Sequence, residues 1–162
     1  LSEENAAQTA KALNIIQPDF IRVHATGIKL ESKLGEFVRD GSFTLQSEEE
    51  IVIEQKLFLQ QLHEMDSYYV NEHIVNLLLE VRGNLRTEKQ EMLSTIDRFL
   101  TLPPDERLLF TVGRRLNIFF RLDDLKKPKL HQKAGESLQQ ILSKNPHVDF
   151  AALCNYVRQS QI

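Results

Sequence analysis

The chain has 162 residues, 41% of them hydrophobic and 27% charged, with a formal net charge of −3. That length fits one domain, the composition is too apolar for a disordered tail, and a single Cys excludes both an internal disulfide framework and a cysteine-rich zinc module. No apolar run approaches the roughly 20 residues that cross a bilayer, so no membrane partner is expected. Only 6 Gly and 5 Pro among many helix-forming residues predict an all-α fold. The chain opens on Leu1, followed by polar and acidic residues, so a segment of a longer protein without a signal peptide is expected.

Periodicity and breakers predict about eight helices. Ser2 starts a first helix over 3–14 that ends before Gln17-Pro18. Pro18 opens a second, with Ile21, Ala25, Ile28, Leu30, Leu34, Phe37 and Val38 as apolar rows, which Gly27 could interrupt. Asp40-Gly41-Ser42 reads as a turn. Ser47-Glu48-Glu49-Glu50 has a capping-box pattern with acids in the first turn, and it starts a third helix ending near 65–67. Val70, Ile74, Leu77, Leu78 and Val81, spaced by three and four, predict a fourth helix that Gly83-Asn84 stops.

Thr87-Glu88-Lys89-Gln90 is a second capping-box pattern, followed by the stripe Met92, Leu93, Ile96, Phe99, Leu100. Leu102-Pro103-Pro104 forces a break. A sixth helix over 104–121 is apolar on more than one face, which predicts a central position with Val112, Leu116 and Phe119 buried. A loop over 122–128 leads to a seventh helix with Leu130, Ala134, Leu138, Ile141 and Leu142 on one face. Pro146 begins the last, with Phe150, Leu153, Cys154 and Val157.

Charge is uneven. Residues 1–66 hold 12 acids and 6 bases, whereas Arg114, Arg115, Arg121, Lys126, Lys127, Lys129 and Lys133 crowd one segment with Asp123 and Asp124. Such a segment could attract an acidic peptide or nucleic acid, or be a solvated helix end. No aromatic residues interleave with the bases as a stacking surface for single strands would require, so nucleic-acid binding is expected to be weak at most. The five histidines form no metal-ligand spacing, and Cys154 lies on an apolar stripe where a thiol behaves as a small hydrophobe. No phosphate-cradling glycine loop is present. Elimination leaves a non-catalytic binding module with no cofactor and no metal.

With the helices placed, residues 56–142 resemble the amino-terminal domain of transcription elongation factor S-II. That family includes the integrase-binding domain of lens epithelium-derived growth factor and the helical domain of the phosphatase-1 nuclear targeting subunit. The similar stretches are Lys56–Leu62, Tyr68–Leu78, Ile96–Pro103, Thr111–Leu116 and Gln132–Ile141, in the family's order and spacing. The chain has no Trp, so Ile141 or Leu142 stands where the family has one. The resemblance implies a compact right-handed bundle with HEAT/armadillo-like packing over 41–162, preceded by a helical extension over 1–40. It also implies a nuclear role: docking disordered acidic, Phe-containing motifs of elongation or chromatin factors. The two loops the family reads with correspond here to Arg82, Leu85, Arg121, Leu122, Leu125 and Lys126. The alternative is a helical-repeat scaffold fragment that binds a protein along one helical face.

Overall fold

The computed structural model describes residues 2–160. Among these, seven α-helices and one 3-10 helix dominate, joined by a small three-stranded sheet. The chain forms two compact units that alternate along the sequence: residues 1–24 with 49–102, and residues 25–48 with 103–162. The first 40 residues are therefore divided between the two.

In the first unit, α1 spans Ser2–Ile16 and buries the small side chains Ala6 and Ala10. It stops because Gln17 turns left-handed (φ +49°) and Pro18 cannot extend the helix. The predicted second helix does not form at this point. Phe20–Arg22 is instead strand β1, paired in parallel with β2 (Tyr68–Val70), which pairs antiparallel with β3 (Gly83–Asn84). Both longer strands are rich in aromatic and β-branched residues, and their middle residues Ile21 and Tyr69 are buried.

Helix α3 (Glu48–Gln61) starts at the expected acids but stops at Gln61, short of the expected end near 65–67, with Val52 and Leu59 buried. Asn14 holds its far end from both sides: its amide donates to the Gln61 carbonyl (2.9 Å) and accepts from the His63 N–H (2.7 Å). The ammonium of Lys89 donates to the carbonyls of Gln60 and Leu62.

The fourth predicted helix is also absent: residues 71–82 are turns and irregular chain. Its apolar residues Leu77, Leu78 and Val81 are buried nonetheless. Two buried asparagines replace the helical ladder, Asn71 donating to the Leu78 carbonyl (2.7 Å) and Asn76 to the Val23 carbonyl (2.8 Å). Short amide side chains compete with helix by bonding the main chain in this way. The stretch Tyr68–Leu78, which the resemblance takes as helical, thus begins as strand. Helix α4 (Lys89–Leu100) buries Met92, Ile96 and Phe99, but Glu88 rather than Thr87 is its N-cap, and no side chain caps it.

In the second unit, the stretch over 25–29 has no regular secondary structure, and Asn155 holds its Ile28. The Ile28 N–H donates to the Asn155 Oδ1 (2.8 Å), and the Asn155 amide donates to the Ile28 carbonyl (2.9 Å). Ser32 caps α2 (Lys33–Arg39), and Gly41 at φ +79° makes the expected turn. Helix α5 (Pro104–Arg115) opens on proline as predicted, but ends six residues earlier than the apolar pattern suggested. Asn117 adopts φ +56°, and the N–H groups of Ile118 and Phe119 both donate back to the Gly113 carbonyl. This reversal lays the Phe119 ring on Gly113 and stacks it with Phe110 at 5.9 Å between centroids. Val112 and Phe119 are buried as expected, whereas Leu116 is 43% exposed because it caps the helix at the reversal.

A 3-10 helix (Leu122–Lys126) leads into α6 (Pro128–Lys144), and α7 (Phe150–Gln159) closes the unit with Asp149 capping its start. Helix α5 touches both α6 and α7. Glu48, Arg115 and Arg158 form a buried ionic cluster: Arg115 grips both carboxylate oxygens of Glu48, and Arg158 donates to one of them.

Candidate functional site

The six residues expected to read a partner divide between the two units. Arg82 and Leu85 belong to the first; Arg121, Leu122, Leu125 and Lys126 belong to the second. In the first unit, Arg82 is exposed and pairs with Glu72 at 2.5 Å, while Leu85 is wholly buried. In the second, Leu122 is only 4% exposed and so is not open to a partner, contrary to the reading role the resemblance implies for it. A 3-10 turn places it inward, so it pins the segment. Leu125 is half-buried, and Arg121 and Lys126 are exposed.

The local geometry of this segment follows from Asp124. Its carboxylate accepts from the N–H groups of Phe120 (2.8 Å) and Arg121 (3.0 Å) and from the ammonium of Lys127 (2.7 Å). Burial opposes its ionisation, but the hydrogen bonds from Lys127, Phe120 and Arg121 outweigh that and hold its pKa below the usual aspartate value. Reaching back from the first 3-10 turn, the Asp124 side chain fixes the chain where it leaves the reversal. Phe120 is consequently 47% exposed, with the Arg114 guanidinium 5.7 Å from its ring centroid.

Leu116 and Phe120 are therefore exposed at the reversal, and along the chain they are followed by the exposed bases Arg121, Lys126, Lys127 and Lys129. The sequence alone assigned both to a helix interior. The signal that could have moved them is Arg115-Leu116-Asn117, since Asn is the residue after Gly that most readily takes a left-handed conformation.

The run of seven bases is divided by the fold. Arg114 and Arg115 are buried, Lys126 pairs with Asp123 at 2.8 Å, and Lys127 pairs with Asp124. The surface charge is thus weaker than the sequence count implied.

The reactive groups are placed elsewhere. Cys154 is buried near Glu48, and burial together with that carboxylate pushes its thiol up to about 12 despite Arg115 and Arg158. A thiol so placed stays protonated at neutral pH. His24 and His73 stack at 4.2 Å, and burial, His73 and Arg22 lower the pKa of His24. Among the described residues, no three His, Cys, Asp or Glu side chains gather as a metal ion would need. Nor is any helix there long and apolar enough to cross a membrane. No protein-family model, curated protein or solved structure matches this chain.

Proposed function

We propose that this chain is a non-catalytic interaction module that docks short acidic segments carrying an aromatic side chain, at the surface where α5 ends. The observation that carries the reading is the pair Leu116 and Phe120 at the end of α5, both exposed to more than 40%, with exposed Arg121 next to Phe120 in the chain and exposed Lys126 and Lys129 following within nine residues. Single exposed apolar residues are ordinary, but two large ones followed along the chain by exposed cations supply the residue types that an aromatic anchor with flanking carboxylates needs. A disordered partner loses chain entropy on docking, so its affinity must come from one or two such anchors plus charge.

Of the six residues first expected, this reading keeps Arg121, Leu125 and Lys126 and adds Leu116 and Phe120. The buried, protonated thiol of Cys154 supports the non-catalytic part. The contact of α5 with both α6 and α7 supports a HEAT/armadillo-like packing within this unit. The partner class, elongation or chromatin factors of the nucleus, comes from the resemblance; of its five stretches, Lys56–Leu62, Ile96–Pro103, Thr111–Leu116 and Gln132–Ile141 lie wholly or largely in helices, whereas Tyr68–Leu78 does not. Nucleic acid remains a weak ligand at most in this reading, with two of the seven bases buried and two in ion pairs.

Titration of a fluorescent acidic peptide containing Phe against the chain, Phe120→Ser and Arg121→Glu tests this. Each variant should lose at least about tenfold in affinity, roughly 1.4 kcal/mol, with circular dichroism unchanged. Binding should weaken as salt rises, because exposed charges are screened beyond about 8–10 Å. Unchanged affinity in both folded variants would place the partner surface elsewhere.

A further inference from the structure

The sheet of the first unit ends on β1, which has β2 on one side and, among the described residues, no strand on the other. In the parallel pair, the Tyr68 N–H donates to the Asp19 carbonyl (2.8 Å) and the Val23 N–H donates to the Val70 carbonyl (3.1 Å). Backbone groups alternate direction along a strand, so residues 19, 21 and 23 face β2. The N–H and C=O groups of Phe20 and Arg22 therefore face outward. Their side chains share the open face of the sheet, since Phe20 and Arg22 are exposed and Ile21 between them is buried. Phe20 is 70% exposed, with its ring 6.4 Å from that of Tyr68, and Ile15 and Ile16 just before it are also exposed. Proteins usually blunt a sheet edge with shortness, charge, proline or a cover; β1 is short and carries Arg22, but it also presents the large exposed ring of Phe20 on the same edge.

We infer that this edge pairs with the same edge of a second copy of the chain, antiparallel, about a two-fold axis at Ile21. In that register Phe20 lies opposite Arg22 of the other copy, and Arg22 opposite its Phe20. Each is a pair in which both residues exchange N–H and C=O bonds, which satisfies all the outward groups of the two residues. Each guanidinium also comes against the ring of the other copy, a cation–π contact made twice.

Neighbouring registers fail on chemistry. Centring on Phe20 sets Arg22 opposite Pro18, which has no N–H to give. Centring on Arg22 puts the two arginines opposite each other. The occupant is therefore chosen by complementarity of the edge with itself.

The association is weak, because three residues and a few side chains bury less than the roughly 1,000 Å² of a stable interface. The first unit also carries 13 acids and 7 bases, so two copies repel at long range. Added salt should screen that repulsion and strengthen the pairing, the opposite sign from the acidic-peptide docking proposed above.

Sedimentation equilibrium of the full chain, up to about 1 mM, is the test. A concentration-dependent dimer is expected. Phe20→Arg should weaken it at least about tenfold, by setting Arg against Arg22 twice, and the exchange Phe20→Arg with Arg22→Phe should restore it. Arg22→Pro removes an outward N–H without touching the bonds to β2, and should also weaken it. A monomer at all concentrations would overturn the inference. So would a dimer indifferent to these substitutions, or a folded exchange variant that does not recover, since either places the contact elsewhere.

Discussion

A Cβ at Gly113 would lie 2.3 Å from the Phe119 ring, whereas one at Gly135 would meet nothing within 4 Å. Both glycines are helical, so propensity alone favours alanine at each by about 1 kcal/mol. Packing reverses the sign at the first. Gly113→Ala should cost about 1–3 kcal/mol by overpacking, while Gly135→Ala should gain about 0.5–1 kcal/mol. Chemical denaturation of the two variants checks both, and equal effects would mean that Phe119 does not rest on Gly113.

Asp124 supplies a second test at this scale. Its pKa is lowered in the folded state, so the stability it contributes is present above the ordinary aspartate range and is lost as pH falls through its lowered value. Asp124→Asn should be less stable at neutral pH and should lose less stability than the parent on acidification below about pH 4. Parallel stability curves for the two proteins would contradict the role given to its carboxylate.

Local signals decided which elements were legible. Helices α1, α3, α4 and α6 follow apolar spacing and breakers close in sequence, and Pro103-Pro104 separates α4 from α5 as proline chemistry requires. The strands were not legible, because β1 and β2 are parallel partners 48 positions apart, as in Phe20 with Tyr68. Ile21 and Val70, one from each strand, fit helical rows by their spacing. Residues 71–82 misled for a different reason: Leu77, Leu78 and Val81 are buried as their spacing suggested, but on irregular chain held by Asn71 and Asn76. Glu48 shows the same limit. Its place at the start of α3 accounts for an acid there, yet Arg115 and Arg158, distant in sequence, take its carboxylate. Glu48→Ala leaves two buried guanidinium groups without that partner and should destabilise the fold by about 3–5 kcal/mol. A loss under about 1 kcal/mol on urea denaturation would show that the cluster is hydrated and contributes little.

Across the whole molecule, net charge conceals a division. The first unit holds 13 acids and 7 bases and the second 10 acids and 13 bases, so an acidic ligand is drawn to the second. The basic character near residues 121–129 was legible by counting. Its apolar half was not, because the exposure of Leu116 and Phe120 depends on one left-handed residue, Asn117. Leu122, by contrast, read as a surface loop residue and is buried by a 3-10 turn. The most direct measurement is an amide chemical-shift titration of the isotope-labelled chain with an acidic peptide containing Phe. The largest saturable shifts are expected at Leu116, Phe120, Arg121 and residues 125–129. Shifts confined to residues 15–24 and 68–70, or none at ligand excess, would contradict the proposed docking surface.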